Sequence, residues 1–429
     1  MIVELAPADV LRSEWPTLPL SEGLLSGVQP GFACGNHNRN GDGIVHVRPF
    51  NVNTDGNMDF SSVKFIPKTE AHKPERLLQR DDVVFNNTNS PELVGKTAIY
   101  QEQDSRAFSN HMTRLRVNPD RLRPAFLAMA LHQLWREGYF ADKCNNHVSQ
   151  ASISRSVLLE TEILVPPLAE QDSLVQQVRT AQDKVEGVRD RLATIPTLLK
   201  RFRRSVLTAA CSGQLTADCR GTDDLTGWED IAAQEVCERV QSGSTPKEGF
   251  QITPGVPFLK VFNLVDQRLD FDYKPQFISE VVFRTKSMSR STAIPGDVLM
   301  NIVGPPLGKV AVVTSQYSAW VFNQALTLFR PSAKISTEWL YLTLCSGIPY
   351  EDILMHTRGS AGQSNISLTQ CREMILPVPP VPEQAEIVRR VQSLFALADS
   401  IESRIAEATA QVERTTQAIL ANAFRGELM

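Results

Sequence analysis

The chain has 429 residues, of which 42% are hydrophobic and 21% charged, as in a soluble globular protein of about two to four domains. It contains no run of about 18 apolar residues and no basic N-terminal stretch followed by an apolar core, so we expect a cytoplasmic protein without a transmembrane helix or a signal peptide. Seven widely spaced cysteines without a Cys-x-x-Cys motif favour reduced thiols over disulfides or a zinc site. The net charge of -4 opposes nucleic-acid binding only weakly, because phosphate contacts act locally.

The sequence contains two copies of one pattern, 213 positions apart, close to half of the chain length. The pairs that share this offset are Trp15/Trp228, Gly95-Lys96/Gly308-Lys309, Asn110/Asn323, Gln150/Gln363, Ile153-Ser154/Ile366-Ser367, Pro166-Pro167/Pro379-Pro380, Glu170-Gln171/Glu383-Gln384 and Gly213/Gly426. A period of this length indicates a duplicated domain and not a solenoid repeat of about 20–50 residues. Two similar but non-identical domains suit a target that has two similar but non-identical halves.

Each copy begins with a globular region in which strand and helix signals are mixed. Short apolar runs bounded by turn residues predict strands, as in GIVHVRPFNVN and VPFLKVFNLVD, and in DDVVFNN and GDVLMNI. PDRLRPAFLAMALHQLW and STEWLYLTLCSGI predict helices. The mixture predicts an α/β or α+β fold for both regions.

A proline-rich hinge closes each globular region, EILVPPLAEQ in the first copy and MILPVPPVPEQ in the second. Apolar residues at alternating spacings of three and four follow each hinge, which predicts a long heptad helix that ends at a glycine. We expect an interhelix core that includes Val185, Leu192, Ile401 and Ile405. Pro196 lies inside the first helix and is predicted to kink or break it.

These parts predict four segments: a first globular domain over 1–167, a helix over 168–214, a second globular domain over 215–380 and a helix over 381–429. A helix of 40 residues or so would be about 60 Å long. If the two helices pack antiparallel, the domains would lie at opposite ends of a rod with pseudo-twofold symmetry. That length is less than two turns of B-DNA at about 34–36 Å per turn.

Motifs of catalysis are absent from the sequence. We find no phosphate-binding G-x-x-x-x-G-K-[ST] loop, no G-x-G-x-x-G, no G-x-S-x-G, no H-E-x-x-H helix and no Asn-Pro-Pro-aromatic signature of adenine methyltransferases. Cys144 and His147 have no second pair at zinc spacing, so no metal site is predicted. A non-catalytic protein is therefore expected.

The duplicated globular regions, the Pro-Pro…Glu-Gln hinges and the heptad helices together resemble the specificity subunit of a type I restriction–modification system. PPLAEQDSLVQQV and PPVPEQAEIVRRV carry the resemblance most specifically, and LTAACSGQL, LANAFRGEL and VQSGSTP add to it. It covers essentially the full chain. It implies two target recognition domains held apart by helices that dock the methylation subunits.

The resemblance also implies the partners. They are double-stranded DNA with a gapped bipartite target, two methylation subunits and, in some assemblies, two restriction (translocase) subunits, with no membrane involved. Adenine methylation in each half-site would use S-adenosylmethionine bound by the methylation subunit. This chain would itself hold no cofactor and no metal.

Candidate DNA-contacting residues are polar side chains in loops or at strand ends, several of them matched between the copies. They are Arg39, Arg48, Asn51, Lys96, Gln150 and Ser152 in the first domain, and Lys247, Lys260, Asn263, Lys309, Gln363, Ser364 and Asn365 in the second. Matched cations are expected on phosphates, because the two half-sites should differ in sequence. The same residues can equally be turn formers and caps, and Asn51 and Asn263 in particular can satisfy backbone groups.

Two other classes of protein account for less of the sequence. A fused restriction–methylation enzyme would need a cofactor domain of a few hundred residues, for which the chain has neither room nor motif. A coiled-coil scaffold without DNA specificity is compatible with the heptads but leaves the two globular domains unexplained.

Overall fold

The computed structural model describes residues 15–71, 73–147, 150–222, 224–251, 255–351, 353 and 365–425. The chain forms two compact units, residues 1–191 with 408–429 and residues 192–407. Each unit combines one globular domain with one part of each long helix, whereas the sequence-based segments keep every helix whole. The two units are described separately below.

The first unit contains thirteen of the described strands and the helices around them. The strands are β1 Thr17–Pro19, β2 Leu25–Pro30, β3 Ile44–Val47, β4 Phe65–Ile66, β5 Leu77–Leu78, β6 Val83–Asn86, β7 Thr88–Asn89, β8 Thr97–Ile99, β9 Arg106–Phe108, β10 Met112–Val117, β11 Asn145–His147, β12 Gln150–Ser152 and β13 Glu162–Leu164. The helices are α1 Pro124–Arg136, α2 Tyr139–Lys143, α3 Arg155–Leu159 and the first part of the long α4 Leu168–Cys211, with 3-10 turns at Pro49–Asn51, Lys68–Ala71 and Pro74–Arg76.

The second unit repeats this order with short additions. Its strands are β14 Glu229–Ala232, β15 Cys237–Ser242, β16 Phe250–Gln251, β17 Val256–Leu259, β18 Leu264–Val265, β19 Arg268–Leu269, β20 Phe277–Ile278, β21 Thr292–Ala293, β22 Val298–Asn301, β23 Val310–Val312, β24 Trp320–Phe322, β25 Leu326–Pro331 and β26 Ile375–Val378. The helices are α5 Ala217–Arg220, α6 Ala233–Val236, α7 Glu280–Phe283, α8 Lys286–Ser289, α9 Thr337–Ser346, α10 Leu368–Glu373 and the long α11 Val381–Arg425, with 3-10 turns at Gln214–Thr216, Val261–Asn263 and Ile348–Tyr350.

The main sheet of each domain has the same antiparallel topology. Its strand order is β2-β10-β6-β8 in the first domain and β15-β25-β22-β23 in the second. The central strands β6 and β22 are buried along their whole length, as the apolar runs VVF and VLM predict. The internal repeat and the mixed fold class predicted from the sequence are confirmed.

A second sheet completes each domain. Its order is β4-β3-β9-β5 in the first domain and β16-β20-β17-β24-β21 in the second, where β16 is an added edge strand. In both sheets the central pair is parallel, β3 with β9 and β17 with β24. The 3-10 turns Pro49–Asn51 and Val261–Asn263 follow β3 and β17 directly, so the two domains place them at the same point of the fold.

The predicted long helices are present and run antiparallel to each other within each unit. In the first unit Arg189 pairs with Glu413 at 2.9 Å, and in the second Arg203 pairs with Asp399 and Glu402, both at 2.7 Å. Gly213 follows α4 in a left-handed conformation, as expected of a helix-terminating glycine. Of the two outcomes predicted at Pro196, a kink or a break, the break is wrong, because α4 continues through this residue.

The four predicted interhelix core residues are half-buried. Val185 packs against the apolar cluster of Val178, Ile419 and Leu420 in the first unit. Leu192, Ile401 and Ile405 do not reach full burial, because two paired helices cover a seam residue from one side only. Tight burial is found instead where the helices meet their own globular domain, for example at Val391 and Ala210.

The glutamine of each hinge explains the Glu-Gln motif in structural terms. Gln384 is fully buried; its Nε2 donates to the carbonyls of Pro379 and Lys334 at 2.9 and 2.8 Å, and its Oε1 accepts the N–H of Ser336 at 2.9 Å. Gln171 makes the matching bonds to Pro166, Arg121 and Arg123 at 2.8, 3.0 and 2.8 Å. One amide therefore locks the start of each long helix to the start of the helix that covers the main sheet.

Candidate functional site

The turn that follows β3 or β17 presents a cation at the same place in both domains. Arg48 and Lys260 each precede the 3-10 turn in extended backbone and are partly exposed. Neither has an ion-pair partner among the described residues. An unpaired cation on a net acidic chain is suited to an anion brought by another molecule.

Buried asparagines hold both turns in place. Asn51 is 1% exposed; its Nδ2 donates to the carbonyls of Asp59 and Ser62 at 2.8 and 2.9 Å, and its Oδ1 accepts the N–H of Arg48 at 3.0 Å. Its counterpart Asn263, also 1% exposed, is placed in the same way. Both amides are fully used, so the structure gives these predicted contact residues the alternative role of satisfying backbone groups and positioning the neighbouring cation.

In the first domain two histidines support the loop that leads to β3. The Nε2 of His37 lies 3.0 Å from the Nδ1 of His46, and the two rings are stacked with centroids 5.2 Å apart. Burial, His37 and Arg48 lower the pKa of His46 to about 4. Partial burial with the nearby charges of Arg48 and Lys64 lowers the pKa of His37. Both imidazoles are therefore neutral at pH 7, next to two unpaired cations.

In the second domain aromatic rings occupy the corresponding region. The Nζ of Lys260 lies over the rings of Phe250 and Phe258, 5.3 and 5.9 Å from their centroids. Phe258 is buried and stands where the first domain has His46. The same cationic position is thus supported by imidazoles in one domain and by phenyl rings in the other.

Lys96 and Lys309 have different surroundings although they are matched in sequence. Lys96 is 5% exposed, its Nζ donates to the carbonyl of Val52, and burial lowers its pKa. Lys309 is half-buried, and its backbone N–H donates to Asn301 Oδ1 at 2.6 Å. The structure thus keeps the Lys96 ammonium away from solvent, where it fastens the segment after the turn to β8.

The remaining predicted contact residues are spread over several loops. Arg39 and Lys247 are exposed in the loops before β3 and β17, while Gln150 and Ser152 lie on β12 of the separate sheet β11-β12-β7. Asn365 is exposed and bridges to Val303. Gln363 and Ser364 lie outside the described residues. Of the predicted set, Arg48 and Lys260 occupy matching positions before the 3-10 turn of each domain.

A glycine packs closely against the backbone where each of these loops begins, Gly31 in the first domain and Gly243 in the second. A Cβ on Gly31 would lie 2.2 Å from the carbonyl oxygen of Ser109, and one on Gly243 would lie 2.2 Å from that of Phe322. Only glycine fits at either position. The prediction from sequence missed this pair, and it also missed His37, Lys64 and the exposed aromatics Phe250 and Tyr273. The signal that aligns Gly31 with Gly243 is a repeat offset of 212 in this region, in place of 213.

Comparison with known proteins places this architecture in a family. The model of the type I restriction modification DNA specificity domain matches residues 226–410. The chain is 27% identical to the type I restriction enzyme EcoBI specificity subunit of Escherichia coli over 97% of this chain and 87% of that protein. It is also 27% identical to the StySPI specificity subunit of Salmonella potsdam, over 97% and 90%. The chain belongs to the specificity subunits of type I restriction–modification systems.

Solved structures of specificity subunits share the fold. The HsdS subunit from Thermoanaerobacter tengcongensis superimposes with a TM-score of 0.63 at 22% identity, covering 97% of this chain and 98% of that one. A chain from a structure describing complex assembly and conformational transition of a type I system gives a TM-score of 0.65 at 22% identity, covering 96% and 98%. Among the described residues of this specificity subunit, no helix is long and apolar enough to cross a bilayer. Nor do they contain a group of three metal-ligating side chains.

Proposed function

We propose that this specificity subunit reads a gapped bipartite DNA sequence, one half-site with each globular domain, and directs adenine methylation by partner subunits. The matched pair Arg48 and Lys260 is the observation that supports placing the DNA on this turn in each domain. Both cations stand on the same rigid turn, both lack a carboxylate partner among the described residues, and the two surroundings differ. Matched cations suit the phosphates common to any duplex, and the differing surroundings suit two different base sequences.

The charge distribution supports a local electrostatic contact. The chain carries a net charge of -4, yet the first domain places both Arg48 and Lys64 near His37. Phosphate binding depends on such local cations and the release of counterions, and the net charge of the chain matters less. Because the pKa values of His37 and His46 are lowered, the two imidazoles add no further positive charge beside Arg48 at neutral pH.

The family supports an inference about the assembly. We infer double-stranded DNA, two methylation subunits and, in some assemblies, two restriction (translocase) subunits as partners, with the long helices as the docking surface and the spacer between the domains. S-adenosylmethionine belongs to the methylation subunit, and this chain contributes recognition without catalysis. The lack of methyltransferase and nucleotide-binding motifs supports that division of labour. These partners would act on DNA in the cytoplasm.

A single-molecule adenine methylome tests the proposal. Cells that carry this chain and its neighbouring methyltransferase are compared with cells that lack only this chain. The expected result is a gapped motif, methylated on opposite strands in its two halves, that disappears on deletion. An unchanged methylome, with the methyltransferase shown to be expressed and active, would contradict the role. The family match gives no support to the alternative of a scaffold without DNA specificity.

A further inference from the structure

The second domain exposes aromatic rings and lysines around the turn that follows β17. We name this the aromatic–lysine surface, and it consists of Phe250, Lys260, Phe262, Tyr273 and Lys274. Phe250 is 42% exposed and Tyr273 is 50% exposed. The Phe262 and Tyr273 rings meet edge to face at 6.2 Å, and Lys274 Nζ lies 5.0 Å from the Tyr273 centroid. With Lys260 over Phe250, cations and rings alternate across one patch.

The first domain presents different chemistry on the same scaffold. The residues at the corresponding places are His37, Arg48, Phe50, Ser62 and Val63. His37 packs on His46 as Phe250 packs on Phe258, and Asn51 bonds the Ser62 carbonyl as Asn263 bonds that of Tyr273. The cation and the phenylalanine of the turn are kept, whereas a histidine, a serine and a valine stand in place of Phe250, Tyr273 and Lys274. This difference lies where the two domains would have to differ in order to read different half-sites.

Hydrogen bonds hold the backbone of the aromatic–lysine surface in place. Asn263, buried beneath it, donates to the carbonyls of Asp270 and Tyr273 at 3.1 and 3.2 Å and accepts the N–H of Lys260 at 2.9 Å. One side chain therefore fixes the backbone of both Lys260 and Tyr273. A backbone held in this way loses little conformational entropy on binding.

The charges indicate what covers the surface. Neither Lys260 nor Lys274 forms an ion pair within the described part of the chain, so the aromatic rings are flanked by free positive charge. In duplex DNA, aromatic side chains can make apolar contact with thymine methyl groups in the major groove while cations bind the neighbouring phosphates, so a surface of rings and cations suits this ligand. A basic protein partner would be repelled here. An apolar partner would leave both ammonium groups without compensation.

We propose that the aromatic–lysine surface is the base-reading surface for the second half-site, with its rings against base edges and thymine methyl groups and its lysines on the flanking phosphates. The first domain reads the other half-site with hydrogen-bonding groups in the corresponding place. This assignment rests on the proposed function and deepens it. It predicts that the two half-sites are recognised by different kinds of contact.

The test measures methylomes of variants of the full chain, each expressed with the neighbouring methylation subunit at limiting level. Phe250→Ser and Tyr273→Ser should each lower methylation of the wild-type motif at least about fivefold and relax base preference in the second half-site only. Tyr273→Phe keeps the ring and should retain both. Ile294→Ser is the matched control, because Ile294 is 41% exposed and follows β21, the opposite edge strand of the same sheet.

The possible outcomes separate the inference from the proposed function. If the wild-type chain produces no bipartite motif, the proposed function itself fails. If it does, and the two serine variants fold, bind the methylation subunit and methylate the same motif to the same extent, the inference is overturned and the function stands. Loss of the methylation subunit from a serine variant would mark the surface as a protein contact and overturn the inference too. Should Phe250→Ser misfold, the more exposed Tyr273 carries the test.

Discussion

Arg330 binds Asp297 through two parallel hydrogen bonds in the main sheet of the second domain. Nε donates to Oδ1 at 2.8 Å and Nη2 to Oδ2 at 2.7 Å, and the aspartate side chain is 1% exposed. Asp297 Oδ2 also accepts the N–H of Ile294 at 2.8 Å. The first domain repeats the arrangement with Arg116 and Asp82, so duplication has preserved a buried ion pair at the same point of both sheets.

We predict that Arg330→Met destabilises the second domain by about 3 kcal/mol, because it strands a buried carboxylate. Arg116→Met should cost the first domain less, on the order of 1 kcal/mol, for two reasons. Arg114 lies 3.9 Å from Asp82 as a second cation, and the Arg116 side chain is 38% exposed against 23% for Arg330. Native-state hydrogen exchange of β22 and β6 would measure both costs, and equal losses would contradict the ranking.

A second prediction concerns the hinge glutamine. Gln384→Leu keeps the volume but leaves two carbonyls and one N–H without partners, at about 1–3 kcal/mol for each buried group. We expect the free energy of unfolding of the second unit to fall by about 3 kcal/mol or more. Gln392→Leu, an exposed glutamine two turns further along the same helix, is the control and should have little effect. Urea titration followed by tryptophan fluorescence compares the two variants, and similar midpoints would exclude the locking role.

Periodic and local signals made much of the fold predictable from the sequence. Heptads, hinges and bounded apolar runs act over short stretches of chain, so the long helices and the strands β3, β6, β17 and β22 were predicted correctly. Burial of single polar groups was not predictable in this way. Asn51 and Lys96 have the composition of surface residues, but packing against distant segments encloses them. Pro196 shows the same limit, because packing of a long helix can tolerate one lost backbone hydrogen bond.

Acidification should destabilise the first unit selectively. His46 and His132 have pKa values lowered to about 4 and about 3, mainly by burial, so the unfolded chain takes up protons at a higher pH than the folded one. Their contribution to stability is present above pH 6.5 and is lost as pH falls from there toward 4. The second unit has no histidine among its described residues. Hydrogen exchange at pH 7 and pH 5, corrected for intrinsic rates, should show greater loss of protection in the first unit.

His46→Phe isolates one part of this effect. Phe258 fills the corresponding place in the second domain, so the substitution introduces a side chain that the duplicated scaffold already accommodates. The pH dependence of the first unit should become shallower while the part due to His132 persists. An unchanged slope would show that His46 is protonated in neither state over this range, or in both.

The last prediction separates cations that bind phosphate from cations that support the fold. Arg48→Ala and Lys260→Ala should each weaken DNA binding by the assembled methyltransferase and reduce the slope of log K against log salt by about 1. Lys96→Met should leave that slope unchanged, because its ammonium donates to the Val52 carbonyl inside the domain, and should lower stability instead. Fluorescence anisotropy with duplex DNA over a range of salt concentrations measures the slopes. A reduced slope for Lys96→Met would place that lysine on phosphate, which would require it to leave its buried position when DNA binds.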